Sequence, residues 1–115
     1  MLPVAYRLHK ETEIKSLIRQ GQTFFLPEFI IKYQKTKEKP SKIAFVVSTK
    51  VDKKAVARNR IKRQMREAIK DLLPDIKDGY SILVIARKKA LELDFATITK
   101  QLKFALAKIG VYAGK

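Results

Sequence analysis

Apolar residues first recur at helical spacing: Ile14, Leu17 and Ile18 stand at i, i+3 and i+4 between Glu11 and Gln20. Gly21 follows, where a glycine can end a helix. The rhythm then changes. Phe24-Phe25 and Phe29-Ile30-Ile31-Lys32-Tyr33-Gln34 are rich in aromatic and β-branched residues, the composition of strands, with Pro27 at the break between two of them. Alternation along the second run puts Phe29, Ile31 and Tyr33 on one face and Ile30 and Lys32 on the other. Lys35 to Pro40 is polar and predicts a hairpin loop, while the continuous apolar run Ile43 to Ser48 predicts a central strand buried on both faces. A long helical pattern runs from about Ala55 to Leu73 and is closed by Pro74. Asp78-Gly79 predicts a turn into a second buried strand, Tyr80 to Ala86, and Arg87-Lys88-Lys89 a basic loop. Asp94 is placed to cap a last helix whose apolar stripe is Phe95, Ile98, Leu102 and Leu106. The predicted order is helix, three strands, helix, strand, helix, in one domain spanning 1–115.

Charge changes this from an ordinary small fold into a functional clue. Among 115 residues, 26 Lys and Arg stand against 11 Asp and Glu, a net +15. Such an excess repels itself in a compact state, and a polyanionic partner relieves that repulsion. Nucleic acid and an anionic membrane surface are the two candidates. The opening Met1-Leu2-Pro3-Val4-Ala5-Tyr6-Arg7 has no apolar core of signal-peptide length, and no later run approaches a membrane span. Cysteine is absent, which excludes disulfides and thiolate zinc sites and fits a reducing compartment. A cytoplasmic nucleic-acid-binding protein is the expectation.

The charge is concentrated. Lys50 to Lys70 holds nine Lys or Arg against Asp52 and Glu67, a net +7 in 21 residues. At ~100° per residue, Ile61, Met65, Ala68, Ile69 and Leu72 form one side of a helix. Asn59, Arg63, Arg66 and Lys70 form the other, flanked by Arg60 and Lys62. A solvated helix face normally alternates signs, because opposite charges at i,i+4 gain roughly 0.2–0.5 kcal/mol per pair. Here Arg58, Lys62, Arg66 and Lys70 are like-charged at that spacing, at a similar cost. That pattern favours phosphate binding over a merely solvated surface, and the guanidinium forks suit phosphates better than ammonium groups do.

No catalytic set accompanies it. His9 is the sole histidine and has no carboxylate pattern around it, so it reads as a surface residue or minor RNA contact rather than a general base. The 11 acidic residues are scattered without metal-ligand spacing, and no phosphate-cradling glycine loop or nucleophile motif is present. A DNA-reading helix-turn-helix is disfavoured because the basic helix lies between two strands rather than after a helix and a tight turn. On composition alone a ribosomal RNA-binding protein or an RNA chaperone would also fit.

The stretch Val47-Ser48-Thr49-Lys50-Val51-Asp52-Lys53-Lys54-Ala55-Val56-Ala57-Arg58-Asn59-Arg60-Ile61-Lys62-Arg63-Gln64-Met65-Arg66-Glu67 resembles the signature of the bacterial ribonuclease P protein family, known for an Arg-Asn-Arg core. Arg7-Leu8, Gly21 and Ile85-Ala86-Arg87 extend the resemblance over nearly the whole chain. It implies an α+β fold: an α/β sandwich with a four-stranded mixed sheet, three helices and a left-handed βαβ crossover through the basic helix. It also implies a non-catalytic protein subunit that lowers the Mg²⁺ requirement of a catalytic RNA. That RNA removes the 5′ leader of precursor transfer RNA with its own Mg²⁺, the protein binding no cofactor. One monomer per RNA is expected.

By the same resemblance the catalytic RNA is bound through Lys54, Arg58, Asn59, Arg60, Lys62, Arg63, Arg66 and Lys70. The leader is expected in a cleft lined by the first helix and the sheet. Ser48, Lys50, Arg87 and Lys88 match cleft positions, and an exposed basic loop is their competing reading. Ile14 and Ile18 stand where many relatives have phenylalanine, so either leader contact or plain core packing is open to them. Phe24, Phe25, Phe29 and Tyr33 are alternative sources of rings, with Phe29 and Tyr33 taken as the site candidates.

Overall fold

The computed structural model describes residues 6–8, 10–37 and 39–112, which leaves His9 outside the described residues. Its elements are α1 (Glu11–Gln20), β1 (Gln22–Phe25), β2 (Phe29–Lys35), β3 (Lys42–Val46), α2 (Ala55–Leu72), β4 (Tyr80–Ala86) and α3 (Phe95–Lys108). The strands form one mixed sheet in the order β1-β2-β4-β3. β1 and β2 pair antiparallel as a hairpin, and β2 and β4 pair antiparallel. β3 and β4 run parallel. Parallel neighbours cannot be joined by a hairpin, and α2 supplies the crossover between them.

Four sequence expectations shift. The loop expected from Lys35 to Pro40 is no hairpin, because β4 lies between the two strands it joins, β2 and β3. The strand expected over Ile43 to Ser48 ends at Val46 and lies at one edge of the sheet, its residues mostly half-buried; β4, with Ile82, Leu83 and Val84 fully buried, is the central one. A continuous apolar run cannot distinguish those positions when an edge strand is itself covered, and the chain at Arg7 and Leu8 bridges to Ile43 on its outer side. The basic loop after β4 is a single residue, Arg87, followed by a 3₁₀ turn over Lys88–Glu92 that tucks Ala90 into the core. Phe95 leaves the stripe of α3: as the first helical residue it is partly exposed, and Ile98, Leu102, Ala105 and Leu106 carry the packing.

The two sheet faces have different jobs. On one, α2 and α3 cover Phe29, Ile31, Ile82 and Val84, with Ile61, Met65, Ala68, Ile69 and Leu72 of α2 all buried. On the other, α1 lies across β2 and β4 with Leu17 fully buried against Leu8 and Leu83, while Ile14, Ala44, Val46 and Ile85 pack around them. α3 starts at Asp94, whose carboxylate accepts a hydrogen bond from the Thr97 N–H at 2.8 Å. The bonds from Thr97, side chain first and backbone second, hold the Asp94 carboxyl below its ordinary pKa.

Gly21 ends α1 for a reason different from the expected one. Its φ of −70° and ψ of 157° are open to any residue, so no left-handed cap is involved. A Cβ there would overlap the Leu17 carbonyl oxygen, lie 2.8 Å from Leu17 Cδ1 and 3.2 Å from the Tyr33 carbonyl oxygen. The helix end is pressed against β2, and only glycine leaves room. Gly21→Ala is therefore expected to destabilise the protein by about 1–3 kcal/mol, read as a melting temperature lowered by roughly 4–12 °C. An unchanged melting temperature would mean that this approach is not required.

Candidate nucleic-acid interface

With one side of α2 buried, its other side has to face solvent. Asn59, Arg60, Lys62, Arg63 and Lys70 are exposed, and Arg66 is half-buried with its Nε enclosed and unpartnered. Val56, Asn59, Arg60, Arg63 and Arg66 line an open concavity of about 580 Å³. Among the described residues no ion pair engages any cation of α2, and Glu67, one turn beyond Arg63, makes none. The surface is a fixed cationic array with a single amide able to donate and accept.

The N-terminus of α2 adds to it. Lys54 occupies the cap position with no side-chain cap, and the first turn has no acidic residue. Cations at this end oppose the helix dipole, while free N–H groups and positive potential suit an anion. The approach to the helix is nevertheless rigid. Val51 is buried and its N–H donates to the Ser48 carbonyl at 3.0 Å, and the Lys50 N–H donates to Ser48 Oγ at 3.3 Å. Asp52 Oδ1 accepts from the Lys54 N–H at 2.8 Å. Arg58 then donates from Nη1 to the carbonyls of Asp52 and Lys53, both at 2.9 Å. Arg58 is thus a clamp on the loop, and only the rest of its fork is free for a partner.

A second region lies on the α1 side of the sheet. Register places Phe25, Ile30, Ile85 and Val46 in one row across all four strands. Ile30, Ile85 and Val46 are half-buried and Phe25 is 66% exposed, so the row forms a partly open apolar strip. Ile18, on α1, is 50% exposed, whereas Ile14 is half-buried among the Leu8, Leu17 and Leu83 cluster. Because β3 and β4 are parallel, their C-terminal ends emerge at the same end of the sheet. That end carries Ser48 and Lys50 after β3, and Arg87 and Lys88 after β4, all exposed. Arg87 is partly committed: its Nη1 donates to the Leu26 carbonyl at 3.1 Å and its N–H to the Glu28 carbonyl at 2.8 Å.

A ribonuclease P family model matches residues 2–110. The chain is 35% identical to the ribonuclease P protein component of a Picosynechococcus strain over 113 residues, covering 98% of this chain and 97% of the relative. The solved ribonuclease P protein of Staphylococcus aureus superposes with a TM-score of 0.84 at 29% identity, covering 93% of this chain and 97% of that one. The one from Thermotoga maritima gives 0.80 at 29%, covering 89% and 96%. The chain belongs to the ribonuclease P protein family. As a ribonuclease P protein it is an accessory subunit of a ribonucleoprotein endonuclease of transfer-RNA processing. The expected fold of three helices on a four-stranded mixed sheet is the fold these proteins share.

Among the residues expected at the ribonuclease P cleft, Phe29 is a correction. It is fully buried beneath α2 and α3 on the face away from α1, so it presents no ring to a base. Tyr33 shares that face, half-buried against the same core. Phe25 is the exposed ring on the α1 side, and the residue that identifies its face is Lys32: with Ile30 it marks the face of β2 turned away from α2 and α3. Lys54 also changes company. It lines one cavity of about 450 Å³ together with Lys50, Lys53 and Lys88, so the two groups of basic residues meet rather than lying apart.

Lys62, Arg63 and Lys70 are all exposed, so replacing the three with Ala should leave the melting temperature unchanged. The salt slope of binding to ribonuclease P RNA should fall by up to about one unit per lost phosphate contact. An unaltered slope would identify the face as merely solvated. Arg58→Lys keeps the charge but not the fork. It is expected to weaken RNA binding with little change in slope, with faster amide exchange at Asp52 to Lys54; unchanged exchange would remove the clamp.

Proposed function

We propose that the outward face of α2 grips the ribonuclease P RNA while the strip between α1 and the sheet holds the single-stranded 5′ leader of precursor transfer RNA. Lys54, Arg58, Asn59, Arg60, Lys62, Arg63, Arg66 and Lys70 face the large RNA. Ile14, Ile18 and Phe25 offer apolar and ring surface to leader bases, with Ser48, Lys50, Arg87 and Lys88 at the phosphates. One protein serves one RNA. The chemistry of cleavage falls to the RNA and its Mg²⁺, and the protein lowers the Mg²⁺ concentration needed.

The observation that carries this reading is the cationic array of α2, held on a buried stripe and paired with no acid of its own chain among the described residues. The exposed strip beside α1 supports the leader assignment because unpaired bases stack on exposed rings, for roughly 1–3 kcal/mol each. The test is addition of the protein to a bacterial ribonuclease P RNA at low Mg²⁺. Restored precursor cleavage is expected, and an unrescued reaction would overturn the reading that the protein lowers the Mg²⁺ concentration needed.

Ile18→Phe and Phe25→Ala probe the leader strip from opposite directions. Ile18 is half exposed, so a ring there meets solvent rather than packed core, and the melting temperature should hold. Leader affinity of the holoenzyme should rise with Ile18→Phe, by up to ~1–3 kcal/mol. Phe25→Ala should weaken precursor binding relative to mature transfer RNA. Equal effects on the two substrates would place these residues outside the leader path.

A further inference from the structure

The opposite end of the sheet carries a cavity that neither RNA-binding region uses. It has a volume of about 440 Å³, within the usual range for small-ligand sites, and its walls are Tyr33, Tyr80 and Ile109. All three are half-buried and packed against the main core, so the rings are held in place before any ligand arrives. Around them stand Gln20, Gln22 and Gln34, with Lys35 at the rim. No described residue forms a hydrogen bond with any of these three amides or with either tyrosine hydroxyl, and no lining residue is acidic.

The lining has the chemistry of an unpaired nucleotide. Fixed tyrosine rings offer a stacking surface, and base stacking on such rings tolerates any base. A glutamine amide offers a donor beside an acceptor, as does the exposed edge of every unpaired base, so any preference rests on stacking, where the larger purine rings gain most. Lys35, with Lys37 exposed just beyond it, supplies cations for the attached phosphates. We propose that this cavity is a second single-stranded RNA site, one that takes an unpaired purine nucleotide. β2 links the two ends: Phe29 pairs with Ala86 near the expected leader contacts, while Lys35 pairs with Tyr80 at the cavity. About six steps along the strand separate them, about 20 Å. The cavity is therefore a contact point distinct from the leader strip, although it rests on the chain being an RNA-binding protein.

The first test is a titration of the full chain with adenosine monophosphate, followed by NMR. Saturable shifts are expected at the side-chain amides of Gln20, Gln22 and Gln34 and at the Tyr33 and Tyr80 rings. Uridine monophosphate should bind more weakly and ribose 5-phosphate should leave the rings unmoved. Gln20, Gln22 and Lys35 are exposed, so the combined Gln20→Ala, Gln22→Ala and Lys35→Ala variant should keep its melting temperature while adenosine monophosphate binds about tenfold more weakly or worse. Absent shifts, equal shifts with ribose 5-phosphate, or an unaffected variant would each overturn the proposal. These readouts need no ribonuclease P RNA, so they stand or fall separately from the cleavage rescue. The second test finds the source of the nucleotide. The chain has no cysteine, so Gln22→Cys carries a photocrosslinker at one position only. In the holoenzyme with precursor bound, an adduct on the leader or on the large RNA identifies the donor strand, and an adduct on neither overturns the assignment.

Discussion

Everything functional in this chain depends on the burial of one stripe of α2. Ile61, Met65, Ala68, Ile69 and Leu72 are buried against the sheet and α3. Each large aliphatic side chain so buried contributes about 1.5–3 kcal/mol, whereas each like-charged i,i+4 pair on the opposite side costs only about 0.2–0.5 kcal/mol. Packing wins by a wide margin, so the helix tolerates a row of cations it could never carry as an isolated peptide. The backbone positions of the charges are then fixed in space by the fold. A partner that binds them has no backbone left to order, which is the advantage of a preorganised helix.

The legible parts of the sequence were those governed by a single period. The α2 stripe follows from spacing alone, because one side of the helix is apolar and the other has almost no apolar residue to confuse it. The Asp94 cap is equally local, set by a side chain and the N–H three residues on. The face of β2 was not legible by the same means. Phe29, Ile31 and Tyr33 alternate with Ile30, Lys32 and Gln34, and both faces of the strand meet a helix. Only the two-layer packing decides that Phe29 is core and that the available ring is Phe25. Gly21 and Arg58 illustrate another limit. The glycine is needed for a contact with Leu17 and β2, and the arginine for carbonyls five and six residues back. Neither requirement leaves a periodic trace.

The loop from Ser48 to Lys54 joins what the sequence presented as two sites. It leaves the end of β3, where the expected leader contacts are, and delivers the chain to the start of α2. Its turn at Val51, the Asp52 bond to Lys54 and the Arg58 clamp fix the path between them. Lys50, Lys53, Lys54 and Lys88 consequently share one cavity instead of projecting separately into solvent.

That convergence bears on what an accessory protein could add to the ribonucleoprotein. On the proposed arrangement two phosphate backbones, one of the large RNA and one of the leader, approach each other across this loop. Their repulsion acts over about the 8 Å Debye length of physiological salt. It can be offset by diffusible Mg²⁺, which has to be concentrated from solution, or by ammonium groups tethered at the junction. The second route does not depend on ion concentration, since folding positions the backbone that carries each lysine and only side-chain entropy is left to be lost when the RNAs meet. On that arrangement the proposed lowering of the Mg²⁺ requirement would come from where the cations stand, at the meeting of two strands, and not from their number alone.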